Sequence, residues 1–143
     1  MFIKQLSIFV ENKKGGLAEI LAELGSNRID IRALSLADTT DFGILRLIVD
    51  DEKKAEKILT DHGVVVKVSE VLGLAVDHTP GGLARALDAL NAGGIAIEYM
   101  YAFVGESDSH AMVVLRTDDN QKALETLKAA GASILTEADV CKK

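Results

Sequence analysis

The apolar and polar positions at the start of the chain predict a strand followed by a helix. Residues 3–10 alternate between apolar and polar side chains, as a half-buried strand does. A polar turn follows at residues 12–15. Apolar residues then recur at helical spacing between positions 17 and 24, and Gly25 stands where a helix often ends.

The rest of the chain continues this alternation of elements. In the first half, strands are predicted at residues 29–37, 42–49 and from 64, with a helix after the acidic pair Asp50-Asp51. The second half has the same order. Its predicted strands are 71–76, 95–104, 111–116 and a short one around 134, with helices at 83–90 and around 123–127. Each half therefore follows the pattern β-α-β-β-α-β.

A sequence repeat supports this division. The segment Gly15-Gly16-Leu17-Ala18 recurs as Gly81-Gly82-Leu83-Ala84, a shift of 66 positions, and the shift becomes 68 after a loop near residue 105. Apolar residues and glycines match in order along both halves. The sequence therefore predicts two tandem domains, residues 1–68 and 69–143. The last strand of the first domain continues directly into the first strand of the second.

A β-α-β-β-α-β unit forms the ferredoxin-like fold, an α+β arrangement with two helices on one face of a four-stranded antiparallel sheet. The opposite face is usually polar where it meets water. Here strands 29–37, 95–104 and 111–115 carry apolar residues on both faces. Such sheets need cover on both sides, by the sister half, a second chain or both. On this ground the sequence predicts a homodimer.

Composition and charge exclude several kinds of partner. The 143 residues carry a net charge of −6 with no cluster of basic residues, and aromatic residues are 4% of the chain, so nucleic acid is not an expected partner. The apolar stretches have the length of strands, so no membrane span is expected. The N-terminus shows no signal-peptide pattern, and Cys141 is the single cysteine. We therefore expect a cytoplasmic protein.

Two short motifs recur in register and resemble those of the ACT domain family of ligand-binding regulatory modules. The first is a glycine turn between the first strand and the first helix, at residues 77–83 and, in a looser form, at 11–17. The second is the start of the following strand, at residues 28–31 and 94–97. The resemblance covers nearly the whole chain, twice. It implies two tandem ACT-like domains of ferredoxin-like fold.

The resemblance also implies where a ligand binds, because such modules hold amino acids between two domains with this turn and the facing second strand. A glycine turn lets the backbone approach a ligand and directs helix-start N–H groups at a carboxylate. Asn12 and Asp30 stand where the family usually supplies polar side chains, whereas the second half has His78 and Ala96. The predicted ligand-binding residues are Asn12, Lys13, Lys14, Gly15, Gly16, Leu17, Asp30, His78, Thr79, Pro80, Gly81, Gly82 and Leu83.

These residues have a structural interpretation as well. The glycines serve the turn and close helix–sheet packing alone in that interpretation, and Asn12 only caps a helix. A second candidate pocket consists of Leu34, Leu36, Tyr99 and Tyr101, where the tyrosines suit an aromatic ligand. Strand aromatic residues also occur in cores and interfaces. The three histidines lie far apart on separate elements, so no metal site and no cofactor are expected.

The leading hypothesis is a non-catalytic sensor that binds an amino acid or an aryl acid and acts on a metabolic enzyme as a separate chain. One alternative is an oligomerisation module without a ligand. Another, suggested by the family, is an accessory subunit of an aryl-acid or acyl-CoA ligase. An acylphosphatase-like enzyme shares the topology but needs an arginine in its first loop, where this chain has Lys13 and Lys14.

Overall fold

The structure is a computed structural model that describes residues 2–11, 14–38, 41–104 and 110–141. Its elements follow the predicted order, except that the strands predicted from residue 64 and at 71–76 form one strand and that a short helix follows the last strand. The chain begins with β1 (Ile3–Glu11), α1 (Gly16–Ser26), β2 (Ile31–Asp38), β3 (Phe42–Val49) and α2 (Glu52–Asp61). It continues with β4 (Val66–Asp77), α3 (Gly82–Ala92), β5 (Ile97–Ala102), β6 (His110–Thr117), α4 (Asn120–Ala129), β7 (Ser133–Leu135) and α5 (Glu137–Cys141).

The chain forms two compact units that divide inside β4. The first unit consists mainly of Lys4–Glu70 and the second mainly of Val71–Asp139. β4 is one strand of 12 residues, which confirms that the strands of the two halves run together without a linker. The sequence-based division after residue 68 stays a prediction. None of the helices in the described residues is long and apolar enough to span a membrane.

Each unit contains a sheet with the strand order of the ferredoxin-like fold. In the first unit the order is β2-β3-β1-β4, with β3 antiparallel to both β1 and β2. In the second it is β5-β6-β4-β7, and these pairs are antiparallel too. The helices lie on one side of the sheet. The predicted α+β class with two β-α-β-β-α-β repeats is therefore confirmed.

The core of each unit lies between its helices and its sheet, and the repeat places equivalent residues in both cores. Leu24 in α1 and its counterpart Leu90 in α3 are buried, as are Leu59 in α2 and Leu127 in α4. Burying one such leucine stabilises the fold by about 1.5–3 kcal/mol. The duplicated apolar pattern therefore builds two separate cores of one design.

Helices α1 to α4 share one type of C-terminal turn, the Schellman motif, in which a left-handed residue follows the helix. The N–H one residue further on then donates to a helix carbonyl five residues back. The left-handed residues are Arg28 (φ 61°), Gly63 (77°), Gly94 (72°) and Gly131 (80°). The donor–acceptor pairs are Ile29–Leu24, Val64–Leu59, Ile95–Leu90 and Ala132–Leu127, at 2.9–3.0 Å.

This turn corrects three predicted strand boundaries. Strands expected from residues 29, 64 and 95 begin instead at Ile31, Val66 and Ile97. The prediction was wrong at these residues because their N–H groups bond back to the preceding helix and not to a neighbouring strand. The apolar side chains of Ile29 and Ile95 are still buried, so the apolar pattern reported burial there and not strand pairing.

Each unit also has apolar residues on the sheet face that carries no helices. Ala33, Ile48, Val71 and Val114 lie on this face and are fully buried. The sequence leaves open whether the sister half, a second chain or both cover this face, and the homodimer stays a prediction.

Candidate functional site

The first helix of each unit starts at a glycine that adopts a left-handed backbone. Gly15 precedes α1 with φ 87°, and Gly81 precedes α3 with φ 84°. Residues with a side chain rarely adopt this conformation. Within the described ranges, no side chain caps either helix. The first-turn N–H groups, which carry partial positive charge, therefore receive no hydrogen bond from a capping side chain.

The second glycine of the turn brings the helix close to the strand before it. A Cβ atom at Gly82 would collide with the backbone oxygen of Asp77, the last residue of β4. Gly82 is buried, and its N–H donates to the carbonyl oxygen of Thr79 at 3.0 Å. Gly16 is buried at the corresponding position in the first unit. A larger residue would push the start of α3 away from the sheet.

The start of the second strand is fixed in the same way in both units. The Asp30 N–H donates to Oδ1 of Asp50 at 3.0 Å, and the Asp50 N–H donates back to the Asp30 carbonyl at 3.1 Å. Ala96 and Asp118 make the equivalent pair of bonds at 3.1 and 3.0 Å. Both pairs join the residue before the second strand to the residue after the third.

The side chains at these equivalent positions differ. The carboxylate of Asp30 is 60% exposed and lies 3.2 Å from the Arg32 guanidinium. Ala96 is exposed and offers no polar side chain. The first unit can therefore present a charge pair here, while the second offers only the turn residues before α3.

A cavity of about 270 Å³ lies beside the second glycine turn. We call it the turn cavity. It brings together four of the residues predicted from the sequence, with β4 and the start of β6 forming the remaining wall. These four are His78, Thr79, Pro80 and Leu83. The cavity therefore combines an imidazole and a hydroxyl with apolar surface, within reach of a helix start.

The predicted residues of the first turn are less completely described. Asn12 and Lys13 lie outside the described residues. Lys14 and Gly15 are exposed, Gly16 is buried and Leu17 is half-buried against the first core. The predicted ligand contacts of this turn stay predictions.

The second candidate pocket is spread over two strands. Leu34 and Leu36 on β2 are 38% and 52% exposed. Tyr99 and Tyr101 on β5 are half-buried, with stacked rings whose centroids are 6.4 Å apart. These four residues do not line the turn cavity. Their role in binding an aromatic ligand stays a prediction.

From the sequence, Asp50 is interpreted only as part of the acidic start of a helix. In the structure Asp50 and its counterpart Asp118 hold the residue before the second strand, which in the first unit is the predicted ligand-binding residue Asp30. Their recurrence at equivalent places in both halves was the available signal. The residues after them, Asp51 and Asp119, do cap helices, accepting from the N–H of Lys54 and Lys122. In the described part of the chain, no three His, Cys, Asp or Glu residues gather as metal ligands.

Comparison with protein families identifies the whole arrangement. The family described as ACT domain pair matches residues 1–143. The chain belongs to the ACT domain pair family. The resemblance inferred from the glycine turns and strand starts is thereby confirmed. A comparison with curated proteins gives no match.

Solved structures agree with this assignment. Protein BT0572 from Bacteroides thetaiotaomicron is 41% identical, with a TM-score of 0.93, over 100% of this chain and 98% of that one. The ligand-free regulatory subunit of aspartate kinase from Thermus thermophilus is 16% identical with a TM-score of 0.63, over 89% and 91% of the two chains. The corresponding Thermus flavus subunit is 16% identical with a TM-score of 0.56, over 90% and 92%. The two Thermus proteins share the fold of this ACT domain pair.

Proposed function

We propose that this ACT domain pair is a non-catalytic sensor in the cytoplasm that binds an amino acid or a related small carboxylate. In this proposal the bound form regulates a metabolic enzyme that is a separate chain. A ligand regulates in this way when it binds one conformation of the sensor more tightly than another. The Thermus thermophilus protein that shares the fold is described as a regulatory subunit, which is the arrangement proposed here.

The observation that carries the proposal is the uncapped, glycine-opened start of α3 beside the turn cavity. Gly81 holds the left-handed turn, and Gly82 lets the helix start approach β4. Helix N-termini bind carboxylates because their N–H groups and dipole favour negative charge. The imidazole of His78 and the hydroxyl of Thr79 line the cavity and add hydrogen-bonding groups. Leu83 supplies apolar surface for a side chain.

Thermal-shift measurements with the twenty amino acids and a set of aryl acids, including phenylacetate, test the proposal. A ligand at about a hundred times its Kd stabilises the folded protein by about 2.7 kcal/mol, which is a clear rise in Tm. Calorimetry then measures the affinity of any compound that responds. A flat response to every compound at millimolar concentration would contradict the sensor role.

Three variants locate the binding site. His78→Ala tests the turn cavity, while Asn12→Ala and Asp30→Ala test the first unit. We expect a loss of affinity of about tenfold where the substituted group contacts the ligand. Asp88→Ala is the control, because Asp88 is exposed on α3 and does not line the turn cavity. Unchanged affinity in all three variants would show that the ligand binds elsewhere.

A homodimer is part of the proposal, supported by the sheet edges. β2 and β5 are the end strands of their sheets. Leu36 and Leu34 on β2 are 52% and 38% exposed, and Met100 on β5 is 37% exposed. Apolar side chains on an edge strand favour pairing with another chain.

Light scattering after size exclusion tests the dimer. We expect a dimer for the natural chain and a monomer for Leu36→Lys. Val65→Lys is the matched control, because Val65 is 63% exposed but precedes β4 and is not on an edge strand. A monomeric natural chain, or a dimer that survives Leu36→Lys, would contradict this interface. A dimer that responds to no ligand would favour the oligomerisation module instead.

A further inference from the structure

The second unit contains another cavity, between the start of α3 and the end of α4. We call it the helix cleft. Its volume is about 260 Å³. His78, Thr79, Pro80 and Leu83 line the turn cavity and not this one. Its polar lining side chains are Asp77, Arg85, His110 and Ser133, and alanines of α3 such as Ala86 and Ala89 lie beside them.

The first unit has a cleft of about 280 Å³ at the equivalent place, which makes a direct comparison possible. Its lining residues are Glu19, Ile20, Glu23, Leu59, His62 and Val64. The repeat shifts of 66 and 68 convert them into Arg85, Ala86, Ala89, Leu127, Ala130 and Ala132, all of which line the helix cleft. Four side chains have become alanine, and one glutamate has become arginine.

The polar groups of the first cleft bond to one another and to the backbone. Oε1 of Glu23 lies 3.2 Å from Nε2 of His62 and accepts from Nδ2 of Asn27 at 3.2 Å. Nδ1 of His62 lies 2.8 Å from the carbonyl oxygen of Ile58. This cleft carries two glutamates, and two of its polar side chains, Glu23 and His62, have partners within the chain. It offers nothing that favours a small anion.

The helix cleft of the second unit has a different charge pattern, because its lining contains the cationic Arg85 together with the anionic Asp77 and with His110. The Arg85 guanidinium donates to Oγ1 of Thr79 at 3.3 Å, a neutral acceptor. Among the residues that the structure describes, Arg85 forms no ion pair. Its planar group has five N–H donors, so one bond to a hydroxyl leaves most of its capacity for another partner.

We infer that the helix cleft is a binding site for a small monocarboxylate with a short apolar body. A guanidinium binds a carboxylate through two parallel hydrogen bonds, which gives both energy and orientation. The alanine side chains form an apolar wall close to Arg85 and leave room for a few methyl groups. Ser133 adds a hydroxyl donor on the same wall.

The lining also argues against other anions. Asp77 lies on the wall of the cleft and carries negative charge, which disfavours phosphate and dicarboxylates more than a single carboxylate. This site goes beyond the proposed function, because the groups that would bind the carboxylate, Arg85 and Ser133, do not line the turn cavity. Among the described lining residues, the two cavities share only Val76 and Asp77 of β4, and Gly82 lies in the lining of the helix cleft.

An NMR titration of the full-length protein with sodium isobutyrate tests the inference. At constant ionic strength, we expect saturable shifts of the backbone amides of Ala86, Ala89, Ala130 and Ala132. Amides of the equivalent first-unit positions should not shift. Isobutyramide, a neutral molecule of the same shape, should cause no saturable change, and sodium phosphate should not compete.

Two variants and one control make the test specific. Arg85→Ala should weaken isobutyrate binding by about tenfold or more, because it removes a charge-assisted pair of hydrogen bonds. Ala89→Leu should block the cleft by filling it. Glu19→Ala changes the position equivalent to Arg85 in the first unit and should leave the affinity unchanged.

Three results would overturn the inference. They are the absence of saturable shifts at the alanines, an unchanged affinity in Arg85→Ala, and equal binding of isobutyramide. Arg85 is exposed, so its replacement leaves the core intact and the test remains valid if Ala89→Leu fails to fold. Because the turn cavity has its own variant, His78→Ala, a failure here does not decide the sensor proposal.

Discussion

At the start of its second strand the first unit carries Asp30, where the second unit carries Ala96, yet both residues are held by matching hydrogen bonds. Asp50 and Asp118 bind the backbone N–H of these residues and not their side chains. The side chain at this position is therefore free to change while the fold stays the same. At this position the backbone N–H and C=O groups maintain the fold, while the side chain is available for recognition.

The clefts between the helices show the same separation. Both cleft linings include an equivalent buried leucine of the core, Leu59 or Leu127, while the neighbouring residues differ in charge and size. After a duplication, one copy can lose large side chains at such a place without losing its core. The comparison of the two units therefore distinguishes positions that maintain the fold from positions that can acquire a ligand.

The largest effect expected from a test of this distinction is at Gly82. Gly82→Ala places a Cβ against the rigid backbone oxygen of Asp77 and should lower the free energy of unfolding by about 2–3 kcal/mol. Gly25→Ala is the control, because Gly25 is helical and has open space around it. This substitution should raise the free energy of unfolding by about 0.5–1 kcal/mol. Urea denaturation measures both. Equal effects would show that the close approach is not needed.

The second test concerns the left-handed residue that follows the first helix of each unit, which is Arg28 after α1 and Gly94 after α3. Gly94→Ala should lower stability by about 1 kcal/mol, because a side chain in this conformation is strained. Arg28→Gly should raise it by about 1 kcal/mol at the equivalent turn. The same urea titrations give both values. Stabilisation by Gly94→Ala would contradict the strain assigned to Arg28.

The helix caps should give matched effects in the two units. Asp51→Ala and Asp119→Ala each remove a carboxylate that accepts from a first-turn N–H, at 3.2 and 3.0 Å. Each substitution should lower the free energy of unfolding by about 1 kcal/mol, as the removal of an N-cap aspartate does. Thermal unfolding followed by circular dichroism compares them. A loss in one unit without a loss in the other would mean that the units do not share this part of the design.

The smallest effect is expected at His62, which has no histidine counterpart in the second unit. His62→Ala breaks a contact with Glu23 in which the two side chains are 55% and 33% exposed. Exposed pairs contribute little, so the change in stability should stay below about 0.5 kcal/mol. Denaturation at neutral pH measures it. A loss of several times this size would show that the first cleft depends on this pair.

The sequence predicted the order of the elements well, because apolar periodicity and the repeat both report burial. The apolar pattern predicted strands at Ile29 and Ile95, where the structure has Schellman turns. A buried isoleucine gives the same sequence pattern in either position. The short helix α5 was missed. Its signal is local, since Thr136 and Asp139 form reciprocal capping bonds typical of a helix start.

The site was less predictable than the fold. The residues of the second turn could be found because they are contiguous in the sequence. The helix cleft could not, because Ala86 and Ala130 lie on different helices and come together only through packing. Alanine also has no distinctive pattern, since it is a common residue of any helix surface. A small residue points to a cleft only when the equivalent position of the other unit carries a large residue.

The continuous strand β4 has a consequence for any attempt to dissect this protein. The division between the compact units falls inside it, at Glu70 and Val71. A cut at that point would divide this strand, and it would also remove Ile3 from the second unit, to which Ile3 belongs and where its side chain lies against Gly73. The smallest piece of this chain that can be exchanged, transplanted or inherited intact is therefore the pair.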